Sequence, residues 1–438
     1  MMRAMYSVIS GLRNHQTKMD VIGNNIANVN TYGFKKARVV FRDTLYQTMS
    51  TGSAPQNNRG GTNQMAVGLG MKLGSIDTIC TPSPSQSTGK NTDLCINGNG
   101  YFMVQHGDEV LYTRNGAFDF DVNGNFYSVG NGALVLGWIA DPNNNWTIDT
   151  NDNHGPISIG SLSTLLPQAS TKMTFTGNLN FSTAQSDPDD TAPVINEPVI
   201  TSKDVIDSRG NTHTISFRFV KTGAAAGSTT WQYKISVNDA VFDEDDAVDP
   251  EGTLTFDSTG KLTSMTDLGG TVLTPPVPIN LTIPLTNGAD DISLDIDFSA
   301  ITEHQGESTA WAEYVDGYPA GELTSVSIDA NGVIKGTYSN EITRDLAQIA
   351  LATFQNPAGL TNKGESLYQA SSNSGDAKVG IPGQGDGGAL IPGSLEMSNV
   401  DLSEEFVDMI TTQRGFQASS RVINASDEML QELVNLKR

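Results

Sequence analysis

Met5, Leu12, Met19 and Ile26 recur at intervals of seven residues near the start of the chain, and Val8, Ile22 and Val29 follow three of them by three positions. His15 is the one polar member of that second set. Such spacing makes an apolar seam along one face of a helix, the pattern of helices that pack on other helices. Asn24, Asn25, Asn28 and Asn30 are poor helix formers and Gly33 suits a C-terminal cap, so the helix should end near residues 28–31. The other end of the chain repeats the device. Leu402, Met409, Phe416, Ile423 and Leu430 are spaced by sevens, with Phe406, Ile410, Leu433 and Val434 widening the stripe. Asp401 or Ser403 is placed to cap this second helix, and Glu404 and Glu405 in its first turn complement the helix dipole. Neither helix has a neighbour in sequence to pack on. Their matching stripes at opposite chain ends favour a mutual or intermolecular bundle over burial on the chain's own core.

Between these ends the period changes. Asn115-Gly116, Asn123-Gly124 and Asn131-Gly132 lie eight residues apart, the rhythm of a β-meander with Asn-Gly hairpin turns. Alternating stretches such as Thr214–Val220 and Trp231–Val237 extend the β reading through residues 194–300. Segments rich in Ser, Thr, Gly and Pro at 50–90, 182–198 and 371–393 suggest boundaries. The fold class is therefore mainly β and multidomain with α-helical termini, and 438 residues suit about three domains.

Charge narrows the partners. Twenty-six Lys and Arg against 49 Asp and Glu give a net charge of −23, which repels phosphate backbones and excludes nucleic acid as a partner of the whole chain. The ends differ in sign. Residues 1–50 hold seven basic and two acidic residues, net +5, whereas 396–438 hold four basic and eight acidic ones, net −4, so the two helices should attract each other. No apolar run approaches the roughly 20 residues that span a bilayer, and residues 1–30 lack the apolar stretch of a cleaved secretory signal.

Motifs of catalysis and cofactor binding are not found. Two cysteines, Cys80 and Cys95, are too few for a disulfide framework, and Cys95 between Leu94 and Ile96 reads as a small buried hydrophobe. The string Asp119-Phe-Asp121-Val-Asn123-Gly124 resembles the start of a calcium loop but ends on Gly130 where Glu is needed, so it reads as a turn. The acidic run Asp243–Asp246 with Asp249 and Glu251 reads as a solvated loop ahead of a weak cation site. Gly68-Leu-Gly70-Met-Lys-Leu-Gly74 has the wrong spacing for a dinucleotide loop, and five scattered histidines carry no nucleophile or metal signature. No cofactor is expected.

The string NNIANVNTYGFK, Asn24 to Lys35 with Gly33 and Phe34, resembles the signature of the bacterial flagellar axial proteins, the rod, hook and hook-associated subunits. Ser398 to Arg438, with Asn399, Gln413 and Arg414, is similar to the closing helix of that family. DLCINGNGYF at 93–102, TRNGAF at 113–118, SVSIDANGVIKGTYSN at 325–340 and FQNPAGL at 354–360 continue the likeness, which is closest to the hook proteins. Cys95 departs from the family's usual residue. Distal rod relatives lack an insertion as large as residues 161–317, and the first hook-filament junction proteins are longer and more helical.

The resemblance implies nested domains: 1–35 with 398–438 as an inner helical domain, 36–85 as a linker or hinge, 86–160 with 318–397 as a middle β domain, and 161–317 as an outer one. It implies a homopolymer exported without a cleaved signal by the flagellar type III apparatus. Rod and hook-filament junction proteins and a hook cap are its implied partners, with no enzymatic activity and no membrane insertion. Isolated helices are marginal in water, so the terminal helices are expected to be largely disordered until assembly. A rod component is the alternative within the family, and a secreted acidic carbohydrate-active enzyme or an adhesive β module the alternatives outside it.

Overall fold

A computed structural model describes residues 2–55, 59–144, 146–185, 198–225, 227–237, 251–284 and 288–435. The acidic stretch Asp243–Asp249 lies outside them, as do the side chains of Leu433 and Val434. Helix α1 (Met2–Ala27) opens the chain and helix α2 (Leu402–Asn435) closes it. At about 1.5 Å per residue they are about 39 and 51 Å long. Asp401 caps α2, its Oδ1 accepting the amides of Ser403 at 2.8 Å and Glu404 at 3.3 Å. Among the described residues between the helices, every regular element other than three short 3-10 turns is a strand.

The chain forms two compact units, with residues 162–324 and 337–342 in one and the remainder in the other. In the larger unit, residues 37–78 fold back on themselves. Strand β1 (Ala37–Asp43) pairs antiparallel with β4 (Met71–Thr78), and β2 (Tyr46–Ser50) with β3 (Met65–Gly68). This corrects the reading of 50–90 as turn-rich loop. The arm is two strands wide; β2 and β3 are exposed throughout and lack the one-sided apolar alternation that marks a strand of a closed core, which only β1 shows, with Ala37, Val39 and Phe41 half-buried. Further along, the order of paired strands is 343–349, 134–139, 101–106, 109–113, 367–369 and 361–364. Tyr101, Met103, Tyr112, Leu136, Trp138 and Tyr368 form a core on it, with Tyr101 and Tyr368 edge to face at 5.8 Å. Cys95 is buried in the strand Leu94–Asn97, opposite Ile391, and burial pushes its thiol pKa up.

The second unit holds a six-stranded antiparallel sheet running in order from 199–206 to 272–273, and a four-stranded one ordered 279–283, 292–304, 172–180, 311–315. The alternation at 214–220 and 231–237 is the buried face of the first sheet: Phe217, Phe219, Trp231, Tyr233 and Ile235 point into one core. Phe175 of the second sheet meets Phe217 there at 4.6 Å between ring centres.

Five of the hairpin turns share one device, Asp-x-x-Gly. Asp121, Asp207, Asp257, Asp267 and Asp329 each accept, through Oδ1, the amides two and four residues on. The glycine three residues on takes a positive φ in every case, from 74° to 89°. This is the compact turn followed by a left-handed residue that closes hairpins, with an aspartate locking it. The string at 119–124 is therefore a turn, and the carboxylate of Asp121 is committed to Asn125 and its neighbours, which hold its pKa below the usual range. Asn115-Gly116 is not a hairpin. Gly116 is needed because a Cβ there would lie 1.7 Å from the carbonyl oxygen of Leu94.

Candidate assembly interface

Helices α1 and α2 form and pack on each other within one copy, where the sequence predicted disorder before assembly. They run antiparallel: Gly11 faces Ser419, His15 faces Gly415, and Asn25 reaches Glu405. The opposite charges of the two ends meet as expected, Lys18 to Asp408 at 3.3 Å and Lys36 to Glu404 at 2.8 Å. These exposed pairs set orientation more than stability.

On α1, Ile22 is buried and Met5, Leu12, Met19 and Ile26 are half-buried. On α2, Met409, Phe416, Ile423 and Leu430 are half-buried, whereas Leu402 and Phe406 are exposed at 40% and 50%. The face of α2 turned to α1 follows a strict alternation of four and three: Glu405, Met409, Thr412, Phe416, Ser419, Ile423, Ser426, Leu430. Every second member is polar, and Glu405, Thr412 and Ser426 are buried. Thr412 and Ser426 satisfy their hydroxyls on the carbonyls four residues back, at 2.6 and 2.8 Å. Sequence reasoning missed these four because it sought apolar residues.

The asparagines of the N-terminal signature have distinct positions. Asn25 is buried and reads the backbone of Ala37 from both sides, accepting its amide at 3.0 Å and donating to its carbonyl at 2.9 Å, while also donating to Glu405 at 3.2 Å. Asn28 turns back on Asn24 and takes a bond from Thr31, closing the last turn of α1. Asn30 is exposed. Gly33 has φ of 70° with no room for a Cβ, which would sit 2.7 Å from the backbone at Arg114 and Asn115. The carbonyl of Phe34 accepts the amide of Asn399. Asn399 in turn bridges the two strands of the arm's base, accepting the amide of Lys36 at 2.7 Å and donating to the carbonyl of Ile79 at 2.8 Å. Gln413 and Arg414 are exposed on α2.

Helix α1 also seats on the arm. Asn14 donates to the carbonyl of Met71 at 2.8 Å, and Ser10 accepts that residue's amide at 3.3 Å. Where α1, α2 and β1 meet, a cavity of about 260 Å³ is ringed by Lys18, Lys36, Arg38, Glu404 and Asp408. Burial, and then the nearby Lys18, lower the pKa of His15, which lies edge-on to Phe41 with ring centres 6.1 Å apart. Among the described residues no cluster of His, Cys, Asp and Glu has the makings of a metal site, and no helix is long and apolar enough to cross a membrane.

An arrangement of two end helices, an arm and nested β segments, with its polar chemistry spent on tying chain ends together, is that of a structural subunit. Family models agree along the chain. Residues 5–35 match the flagella basal body rod protein, 95–162 the flagellar hook protein FlgE/F/G D1 domain, 178–318 the flagellar basal body protein FlaE D2 domain, and 391–436 the flagellar basal body rod FlgEFG protein C-terminal. The flagellar hook protein FlgE of Borreliella burgdorferi is 39% identical over the full length of both chains. That of Escherichia coli is 34% identical over 99% of this chain and all of its own. The flagellar basal-body rod protein FlgG of Bacillus subtilis is 32% identical over the full length of both, which corrects the expectation that rod relatives lack so large an insertion. With hook proteins matched from end to end at this identity, the chain belongs to the flagellar hook protein FlgE family, a family of structural proteins and not of enzymes.

Proposed function

We propose that this hook subunit polymerises through two apolar faces that a single copy leaves uncovered. The observation that carries this is their exposure. On α2, Leu402, Phe406, Val407 and Ile410 cluster in the first turns and, with Val422 and Met429 further along the helix, stand in solvent, Val407 at 60%. On the arm, Leu45, Tyr46, Met49, Met65 and Val67 do the same. Each such side chain contributes about 1.5–3 kcal/mol once buried, less the cost of ordering it. Apolar surface of this extent marks an interaction site. Two different faces meeting on successive copies make a head-to-tail contact, which propagates as a helix instead of closing as a dimer.

On this reading residues 1–35 with 398–438 line the inside of a tube, 86–160 with 318–397 form its middle layer and 161–317 its outside. The base of the arm, within 36–85, is the joint between inner and middle layers as the tube bends while turning. Rod, junction and cap proteins of the flagellum are the neighbours at its ends, and the subunit leaves the cell through the flagellar export apparatus. The test is to concentrate the purified chain and image it. Tubes are expected from the native chain and none from Val407→Asp or Phe406→Asp, whose circular dichroism should match the native monomer because both positions are exposed in one copy. Tubes from both variants would refute the assignment of the outer face of α2. Leu12→Asp and Phe416→Asp strike the intrachain seam instead and should abolish tubes by unpairing the helices.

A further inference from the structure

Three side chains far apart in sequence meet where the terminal segments join the β body. Lys35 follows α1, Glu396 precedes α2, and Arg114 ends a strand of the body. Lys35 Nζ lies 2.6 Å from Glu396 Oε1, and Arg114 Nη1 lies 3.3 Å from Oε2. The three side chains are between 1% and 3% exposed. Glu396 also accepts the amide of Ser83 at 3.1 Å, and its backbone carbonyl accepts that of Gly33 at 2.9 Å. Lys35 donates further to the carbonyl of Thr81 at 2.8 Å, and Arg114 to that of Gly98 at 2.8 Å. The knot therefore touches every segment leading to a terminal helix or to the arm.

Its stoichiometry is two cations to one anion. Without Glu396, docking the N-terminal segment would bury Lys35 beside Arg114 with no counter-charge, and an uncompensated buried charge is strongly destabilising. With Glu396 in place, either cation is dispensable in charge terms, because the remaining pair is neutral. We infer that Glu396 is the positioning residue for both chain ends, and that α1 and the arm cannot be held on the β body until the C-terminal segment, 361 residues away, has arrived. In a chain emptied from an export channel in sequence order, this makes the two ends dock together and last. That consequence for assembly rests on the hook reading; the latch itself does not.

Amide hydrogen exchange on the full-length dilute monomer tests the latch without requiring a polymer. Glu396→Gln should speed exchange in α1, β1, β4 and α2 at least about 100-fold, the expected scale for breaking a buried pair, while 101–106 and 134–139 keep their protection. Lys35→Met should change little. The double variant Lys35→Met, Glu396→Gln should recover part of the lost protection, because one of the two uncompensated cations and its repulsion with Arg114 have gone. The inference is overturned if Glu396→Gln has no effect, if it loosens 101–106 and 134–139 equally, if Lys35→Met is as damaging, or if the double variant is no better than Glu396→Gln. Native-like exchange with no tubes on concentration would count against the hook reading and leave the latch standing.

Discussion

Two glycines where α1 and α2 cross should respond in opposite directions to one and the same methyl group. Gly11 and Gly415 are both interior to helices, where Ala is favoured over Gly by about 1 kcal/mol. A Cβ on Gly11 would meet Ser419 Oγ at 3.6 Å and Met71 Cε at 3.8 Å, ordinary contact distances, so Gly11→Ala should stabilise the helix pair by about that 1 kcal/mol. A Cβ on Gly415 would lie 3.0 Å from both Cε1 and Nε2 of His15. The imidazole has little room to retreat, since it lies edge-on to Phe41 and its Nδ1 is sealed from solvent. Overpacking of this kind costs about 1–3 kcal/mol, which cancels or exceeds the propensity gain and leaves Gly415→Ala between neutral and about 2 kcal/mol destabilising. Exchange rates of α1 and α2 amides in the dilute monomer at neutral pH read both. At 1.4 kcal/mol per factor of ten, Gly11→Ala should slow opening about fivefold and Gly415→Ala should speed it up to about 30-fold. Adding His15→Ala to Gly415→Ala should remove the penalty. Equal shifts of the same sign in the two glycine variants would show that the helices do not cross at these residues.

Acid should loosen the same helix pair through His15. Its pKa is lowered on folding, first by burial and then by Lys18, so the unfolded chain binds the proton more readily and stability is lost as pH falls below about 6.5. Helical ellipticity followed from pH 7.5 to 5 should fall in the native chain and stay flat over that range in His15→Gln; matching curves would place the titration elsewhere. Gly33→Ala joins two penalties, a left-handed backbone for a residue with a Cβ and a methyl 2.7 Å from the backbone at Arg114, together about 2–5 kcal/mol. Urea unfolding followed at α1 should show an earlier midpoint in that variant, and an unshifted one would mean the turn rearranges freely.

What the sequence made legible is what apolar period and turn chemistry encode. Met409, Phe416, Ile423 and Leu430 announce one half of the α2 seam, Asp401 its cap, and alternation at 231–237 the core of the second unit. The outer part of the arm was not legible because β2 and β3 are exposed throughout and have no buried side to impose a period; only β1, where Ala37, Val39 and Phe41 are half-buried, alternates. The latch was hidden for a different reason. Lys35, Arg114 and Glu396 are ordinary surface residue types at unremarkable spacings, and only the fold makes them neighbours. Of the three Asn-Gly pairs spaced by eight residues, only Asn123-Gly124 closes a hairpin of this kind, and the residue that locks it is Asp121, two positions before the asparagine.

The polar half of the α2 seam bears on how a paired monomer and a polymer can coexist. A seam of Glu405, Thr412, Ser419 and Ser426 between apolar residues buries less apolar surface than a fully apolar one, and the hydroxyls of Thr412 and Ser426 bond to their own helix instead of across the gap. The same helix carries large apolar side chains outside that seam, Phe406, Val407 and Ile410 together near its start and Val422 and Met429 further along, that stand exposed in one copy. Intrachain pairing therefore uses a partly polar face of α2 and leaves those apolar side chains free. A helix ordered by that face offers its exposed apolar side chains already in place, so a neighbouring copy need not bear the full entropy of folding it. Disorder before assembly is thus unnecessary for assembly to be cooperative; a marginal pair, opened by a buried imidazolium or by a displaced Glu396, serves the same end.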